Sequence, residues 1–309
     1  MRRLFSDIGS LIEKRNAIIL AHNYQRPEVQ DIANYIGDSL GLSIRAMEAK
    51  AKVIVFAGVD FMAEQAAILN PSKIVLHPDT TSRCPMAWML TPELVRKYRD
   101  RYPNTPFIAY VNSLATVKAL ADYIVTSSSA VKLVSQLESK RILFGPDRNL
   151  AEHVSEVTGK EIIPVPDHGH CPVHVVITLD EIEEMKAKYP RAKLLVHPEC
   201  LREVRGRADF IGSTSQMIEA AKSMHESEFI VATENGLLYR IEKLGKKAYP
   251  ASKYAVCVEM KKITLEKMRN CLLEMHGIVR INEKVARKTR ATLERSFELI
   301  GVEVPWSRK

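Results

Sequence analysis

Three cysteines hold the same place in three stretches of this chain. Cys84, Cys171 and Cys257 lie 87 and 86 residues apart, and seven residues after each stands a threonine: Thr91, Thr178 and Thr264. Iron–sulfur clusters are held by cysteine thiolates. A 4Fe–4S cluster with three cysteine ligands would keep one iron open. An open metal position acts as a Lewis acid toward hydroxyl and carboxylate oxygens, which suits dehydration rather than electron transfer. Cys200 and Cys271 fall outside the register and read as packing residues. The five cysteines form no close pair, which argues against a disulfide framework and against an ordinary zinc module. The segment HGHCPVH places His168, His170 and His174 around Cys171. It could bind zinc, but a second cluster of ligands is lacking.

Two further sets keep the interval of the cysteines. His22 and Tyr24, Tyr110 and Asn112, and His197 and Glu199 are pairs two residues apart, each ending an apolar run. A spacing of two points both members of a pair the same way on an extended chain. Two imidazoles, two phenols, an amide and a carboxylate make an acid/base and recognition surface. Further on come the hydroxyls Ser39, Ser127 and Thr214, with Ser213 beside the last. Each follows a strand and precedes a helix, where free N–H groups bind anions or the hydroxyl simply caps the helix. No GxxxxGK[ST] loop occurs, so a P-loop is excluded.

These residues need strand ends to hold them, and the surrounding sequence supplies strands. The phrases ANYIG (33–37), ADYIV (121–125) and ADFIG (208–212) recur in step with the landmarks. Short continuous apolar runs punctuate each stretch: AIILAH, VIVFAG and KIVLH; then FIAYV, YIVTS, RILFG and EIIPV; then LLVH, DFIGS and EFIVA. Such runs are parallel strands buried on both faces. The expected fold is α/β: three similar three-layer αβα domains with parallel sheets, each strand alternating with a helix. They occupy 1–104, 105–190 and 191–280, related by pseudo-threefold symmetry around a central site. A helical tail, 281–309, has no counterpart upstream and is expected to pack back on another repeat. Ligands of open parallel sheets bind beyond the strands' carboxyl ends, where the paired residues sit.

Composition narrows the class. The 309 residues are 46% hydrophobic and 27% charged, those of an ordinary globular protein. No apolar run approaches the ~20 residues of a membrane span. The amphipathic N-terminus is too polar for a secretory signal, so the cytoplasm is the expected compartment. The net charge of +8 suits small anionic substrates as well as nucleic acid. Its clusters, MKKITLEKMR and KVARKTRATLER, read as solvated helix faces, so no nucleic acid and no membrane partner is expected. Two rival readings remain: a metal-free phosphosugar enzyme, and a zinc-stabilised nucleic-acid-binding protein.

The motifs HNYQ, GDSL, GVDFMAE, CPMAWM, YVNS, GHCPVH, HPEC, GSTSQM, TENGLLYRI and CVEM together resemble the quinolinate synthase family of de novo NAD biosynthesis, from residue 22 to about 260. The resemblance implies a threefold α/β architecture around a 4Fe–4S cluster ligated by Cys84, Cys171 and Cys257. It implies condensation of iminoaspartate with dihydroxyacetone phosphate to quinolinate, phosphate and two waters. An aspartate oxidase or dehydrogenase is the implied source of iminoaspartate. His22, Ser39, Tyr110, Asn112, Ser127, His197, Glu199 and Thr214 are then expected to contact substrate, with Ser213 and His174 as further candidates. Tyr24 and Glu199 form the implied acid/base pair, supported by His197.

Overall fold

The computed structural model describes residues 2–303, so residues 304–309 of the expected tail lie outside the described residues. Twelve strands form three parallel sheets. The first holds β1 (Ala17–His22), β2 (Tyr35–Gly37), β3 (Val53–Ala57) and β4 (Ile74–Leu76) in the order β2-β1-β3-β4. The second holds β5 (Phe107–Tyr110), β6 (Tyr123–Val125), β7 (Arg141–Gly145) and β8 (Glu161–Pro164) in the order β6-β5-β7-β8. The third holds β9 (Lys193–Val196), β10 (Phe210–Ile211), β11 (Glu228–Ala232) and β12 (Lys247–Pro250) in the order β10-β9-β11-β12. Three sheets flanked by helices, all parallel and all of one order, are the αβα architecture that the apolar runs indicate.

The sheets differ from expectation in strand count. Each has four strands, whereas the apolar runs mark three in the first stretch and three in the third. Those missed, β2 and β12, are edge strands of three and four residues with no fully buried position. An edge strand buries little and need not be continuously apolar. The central strands are the reverse: every residue of β3 and β5 is buried.

The registered threonines are helix N-caps. Thr91, Thr178 and Thr264 each accept the backbone N–H three residues on, and Thr178 completes a capping box with Glu181. Such a cap is worth about 1 kcal/mol. The helices they open cover the following sheet. Ile177 and Ile182 pack with Leu194 and Val196 of the third sheet. Leu265, Met268 and Leu272 pack with Ile8 of the N-terminal helix and with Ile19 and Val55 of the first sheet. The last sheet's helix thus closes back on the first. A further tie recurs at 87-residue intervals. Lys118 donates to Gln65 (2.9 Å), Arg205 contacts Glu152 (3.0 Å) and Asp31 accepts from Tyr239 (2.8 Å). Lys118 and Arg205 are buried and Asp31 is exposed.

The helix Glu283–Leu299 buries Thr289, Thr292, Leu293, Ser296 and Phe297. It is tied to both of the first two repeats: Arg290 donates to Ile68 O, and Ser296 Oγ accepts from Ile124 N at 2.8 Å.

Candidate active site

The strand ends carry their landmarks into one cavity. Lining it are His22, the last residue of β1, with Tyr24 beyond it; Tyr110, the last of β5, with Asn112 beyond it; and His197 and Glu199, which follow β9. Cys84, Cys171 and Cys257 reach it from three loops, and Ser39, Ser127, His174 and Thr214 complete the expected set. Ser213 does not line it. Its hydroxyl donates to Asp38 Oδ2 (3.1 Å) and caps the helix Thr214–Ser223 through Gln216 N.

All five cysteines are free thiols. Cys200 and Cys271 are buried away from the cavity, their sulfurs bonded to Ala232 O (3.3 Å) and His276 O (3.2 Å). For the registered three, burial pushes the thiols up, Cys84 and Cys171 well above the usual range and Cys257 to about 11. Negative charge on Cys257 adds to the rise at Cys84, and charge on both others adds to it at Cys171. Burial resists ionisation of each thiol and the charge of its neighbours adds to that at Cys84 and Cys171, so a positive centre among them would be needed to hold all three as thiolates. The donor set therefore fits a cationic iron–sulfur core. Cys171, His174 and Glu199 also place ligand atoms within 4.8 Å of one another, a spacing that could hold a single ion. His168 and His170 have no part in it: neither lines the cavity, and His168 is exposed.

Glu199, close to Cys171 and His174, centres a second set of contacts. Tyr110 Oη donates to its Oε1 at 2.5 Å, and His174 Nδ1 lies 2.8 Å from Oε2. Burial alone would raise this carboxyl. His174, His197 (charged only at the acid pH where Glu199 itself titrates) and the Tyr110 hydroxyl outweigh it and hold Glu199 well below the ordinary carboxylate range. Burial and the Glu199 charge in turn push Tyr24 and Tyr110 well above the usual phenol value.

The two strand-end imidazoles share one geometry. His22 Nδ1 accepts Tyr24 N (3.2 Å), and His197 Nδ1 accepts Glu199 N (3.3 Å). Burial lowers both to about 3, so both are neutral at pH 7 with the proton on Nε2. That nitrogen remains available as a donor. Tyr24 Oη lies 2.6 Å from Thr233 Oγ1, which lies 2.8 Å from His174 Nε2. A hydroxyl chain therefore joins Tyr24 to His174 and, through the imidazole, to Glu199.

The hydroxyls expected to bind anions also have partners in the cavity wall. Thr214 Oγ1 accepts from Asn23 Nδ2 at 2.9 Å, which leaves its own O–H free to donate. Ser127 stands beside Thr126, which also lines the cavity and whose hydroxyl lies 2.8 Å from Ser128 Oγ. Lys261 Nζ donates to Tyr24 O and lies 2.9 Å from Glu234.

Four residues in this site escape a reading of the landmarks. Thr233 is one. The others are acids: Asp60, Asp147 and Glu234 accept the backbone N–H of Cys84, Cys171 and Cys257 at 3.1, 3.0 and 3.1 Å. Their own spacing, 87 and 87 residues, was the available signal.

Sequence comparisons point to one family. The family profile described as Quinolinate synthetase A protein matches residues 6–298. A quinolinate synthase of Pyrococcus horikoshii is 52% identical over 298 residues, covering 96% of this chain and 99% of the relative. One from Methanocaldococcus jannaschii is 46% identical over 94% of this chain and 97% of its own length. One from Thermotoga maritima is 46% identical over 96% of this chain and all of its own length. Likeness of this depth spans the three sheets and the loops that carry all three registered cysteines, and the chain belongs to the quinolinate synthase family.

Proposed function

We propose that this chain is a quinolinate synthase that condenses iminoaspartate with dihydroxyacetone phosphate, releasing quinolinate, phosphate and two waters. Cys84, Cys171 and Cys257 would hold a 4Fe–4S cluster. When bound, the cluster supplies an open iron as Lewis acid for the loss of a substrate hydroxyl. The observation that carries the reading is the meeting, in one cavity, of these three thiols with the Tyr110–Glu199–His174 contact.

The protein's own groups have distinct tasks. His22 and His197, neutral and buried, present Nε2–H donors to substrate carboxylates without bringing a competing proton. Glu199 would accept protons in enediol isomerisation and imine formation; its lowered pKa makes it a weak base by itself, and an anionic substrate bound beside it would raise that pKa toward the working range. Tyr24, its phenol kept protonated, is the acid, and Thr233 connects it to His174. Tyr110 and Asn112 orient the substrates, and Ser39, Ser127 and Thr214 bind their anionic ends. Iminoaspartate would come from an aspartate oxidase or dehydrogenase. No helix among the described residues is long and apolar enough to cross a membrane, and a cytoplasmic location follows the substrates.

The test is anaerobic reconstitution with iron and sulfide, followed by metal and sulfide analysis and a quinolinate assay with both substrates. Equal iron and labile sulfide with quinolinate formation supports the reading. The Cys171–His174–Glu199 contact favours one alternative, a single metal ion. One metal per chain, without labile sulfide, would select it.

A further inference from the structure

We infer that Asp60, Asp147 and Glu234 are positioning residues that aim the three cysteine ligands. The inference rests on the cluster reading proposed above. Each acid follows the third strand of its sheet in chain order, after β3, β7 or β11, and each accepts the backbone N–H of the cysteine 24, 24 or 23 residues further on. Each also accepts a backbone N–H from the start of the adjoining helix: Phe61 (2.9 Å), Leu150 (2.7 Å) and Gly236 (2.7 Å). One carboxylate thus ties the end of a buried strand, the start of a helix and the cysteine's peptide plane into a single unit.

The geometry shows why this matters to a ligand. Cys84 has φ −74° and ψ 114°, and Cys171 has φ −83° and ψ 116°. With the peptide N–H pinned and the dihedrals alike, the Cα–Cβ bond leaves each backbone in the same direction relative to its sheet. Two loops of different sequence, CPMA and CPVH, then deliver sulfur to corresponding places. The third repeat meets the same need with different parts. Glu234 replaces Asp, and Lys261 braces the longer side chain at 2.9 Å while also holding Tyr24 O. Ligand aim and the seat of Tyr24 therefore share one support in that repeat.

Asp60 gives the clean test, because it is only partly buried, whereas Asp147 and Glu234 are fully buried and their variants could fail to fold. Asp60→Asn keeps an oxygen for Cys84 N–H, and Asp60→Ala does not. Both lose the Trp88 Nε1 contact made at 2.8 Å. Reconstituted proteins are mixed with excess iron chelator, and iron release is followed anaerobically. Asp60→Ala should release iron roughly tenfold faster than wild type, and Asp60→Asn should stay within about threefold. The electron paramagnetic resonance spectrum of the reduced cluster should change in the Ala variant alone. Melting temperatures of the two iron-free variants should lie close together. The inference is overturned if Asp60→Ala holds iron as wild type does, if Asn fails as badly as Ala, or if iron release merely follows the iron-free melting temperature. A wild-type chain that takes up no iron and sulfide would instead sink the cluster reading itself.

Discussion

The cysteine side of the cavity and the Glu199 side are built on opposite plans. Each cysteine is held within its own repeat, by an acid 23 or 24 residues upstream. The Glu199 side is made of contacts between repeats. Tyr110 reaches Glu199 across 89 residues, Tyr24 reaches Thr233 across 209, and Asn23 reaches Thr214 across 191. One side is thus a single device made three times, and the other is a single network made once. A device in three equal parts fails when any part is removed. A network should fail in degrees, according to how central the lost group is.

The largest effect expected is on the cysteine side. Cys84→Ser, Cys171→Ser and Cys257→Ser should each abolish iron binding and turnover. Cys200→Ser and Cys271→Ser should leave both nearly intact, since neither sulfur reaches the cavity. Iron analysis and a quinolinate assay decide. If Cys200→Ser loses iron as completely as Cys84→Ser, the ligand set is wrong.

Next comes the centre of the network. Glu199→Gln keeps the shape but removes the charge that Tyr110 and His174 face. Turnover should fall ~10²–10⁴-fold while iron content stays at the wild-type level, the range for losing a general base. Tyr24→Phe should fall in the same range, again with iron retained. Thr233→Val added to Tyr24→Phe should cost less than it does alone, because the Tyr24–Thr233–His174 chain is already broken. Strict additivity would mean that no such chain operates.

What could be read from the chain alone follows the same division. A residue type repeated at a fixed interval is visible in a sequence, so the cysteines and the threonine caps were legible; the strand-end pairs differ in type and were legible only by position, and the acids Asp60, Asp147 and Glu234 were overlooked although they recur as regularly. Contacts between repeats are not, because nothing in the sequence says that Glu199 lies between Tyr110 and His174. Thr233 was invisible as one threonine among many. Ser213 was named because its neighbour Thr214 shares the register, but of the two only Thr214 lines the cavity. The strands β2 and β12 were missed for a different reason: edge strands of three and four residues leave no apolar run.

A smaller effect is expected at the anion donors. Ser127 and Thr126 both line the cavity, with Ser128 and Ser129 adjoining Thr126. Asp38, next to Ser39, places a carboxylate beside that hydroxyl instead. Phosphate should therefore sit at Ser127. A lost hydrogen bond to a charged group costs ~1.5–3 kcal/mol, so Ser127→Ala should raise KM for dihydroxyacetone phosphate roughly 10- to 100-fold. Ser39→Ala should spare that KM. The reverse pattern would move the phosphate to the first repeat.

The smallest effect separates the two sides by proton linkage, in the iron-free chain. His22 and His197 have pKa values of about 3 when folded against 6.5 in the unfolded chain, burial being the main cause. Between these values the unfolded state binds more protons, so stability falls as pH falls. From pH 6.5 to about 5.5 the ordinary carboxylates stay largely ionised in the unfolded chain, so histidines dominate that change. His77 and His153 are lowered by burial too and add to the slope. Asp147 and Glu234, raised by burial, oppose it. The wild-type slope is therefore composite, but its difference from a variant is not. His22→Gln should reduce the slope by up to ~1.4 kcal/mol per pH unit, the value for one proton. Cys84→Ser should leave it unchanged, because no thiol titrates in that range. Urea unfolding of the three proteins at several pH values measures this. A His22→Gln slope equal to wild type would mean that His22 takes up its proton in the folded protein, and its role as a neutral donor would have to be abandoned.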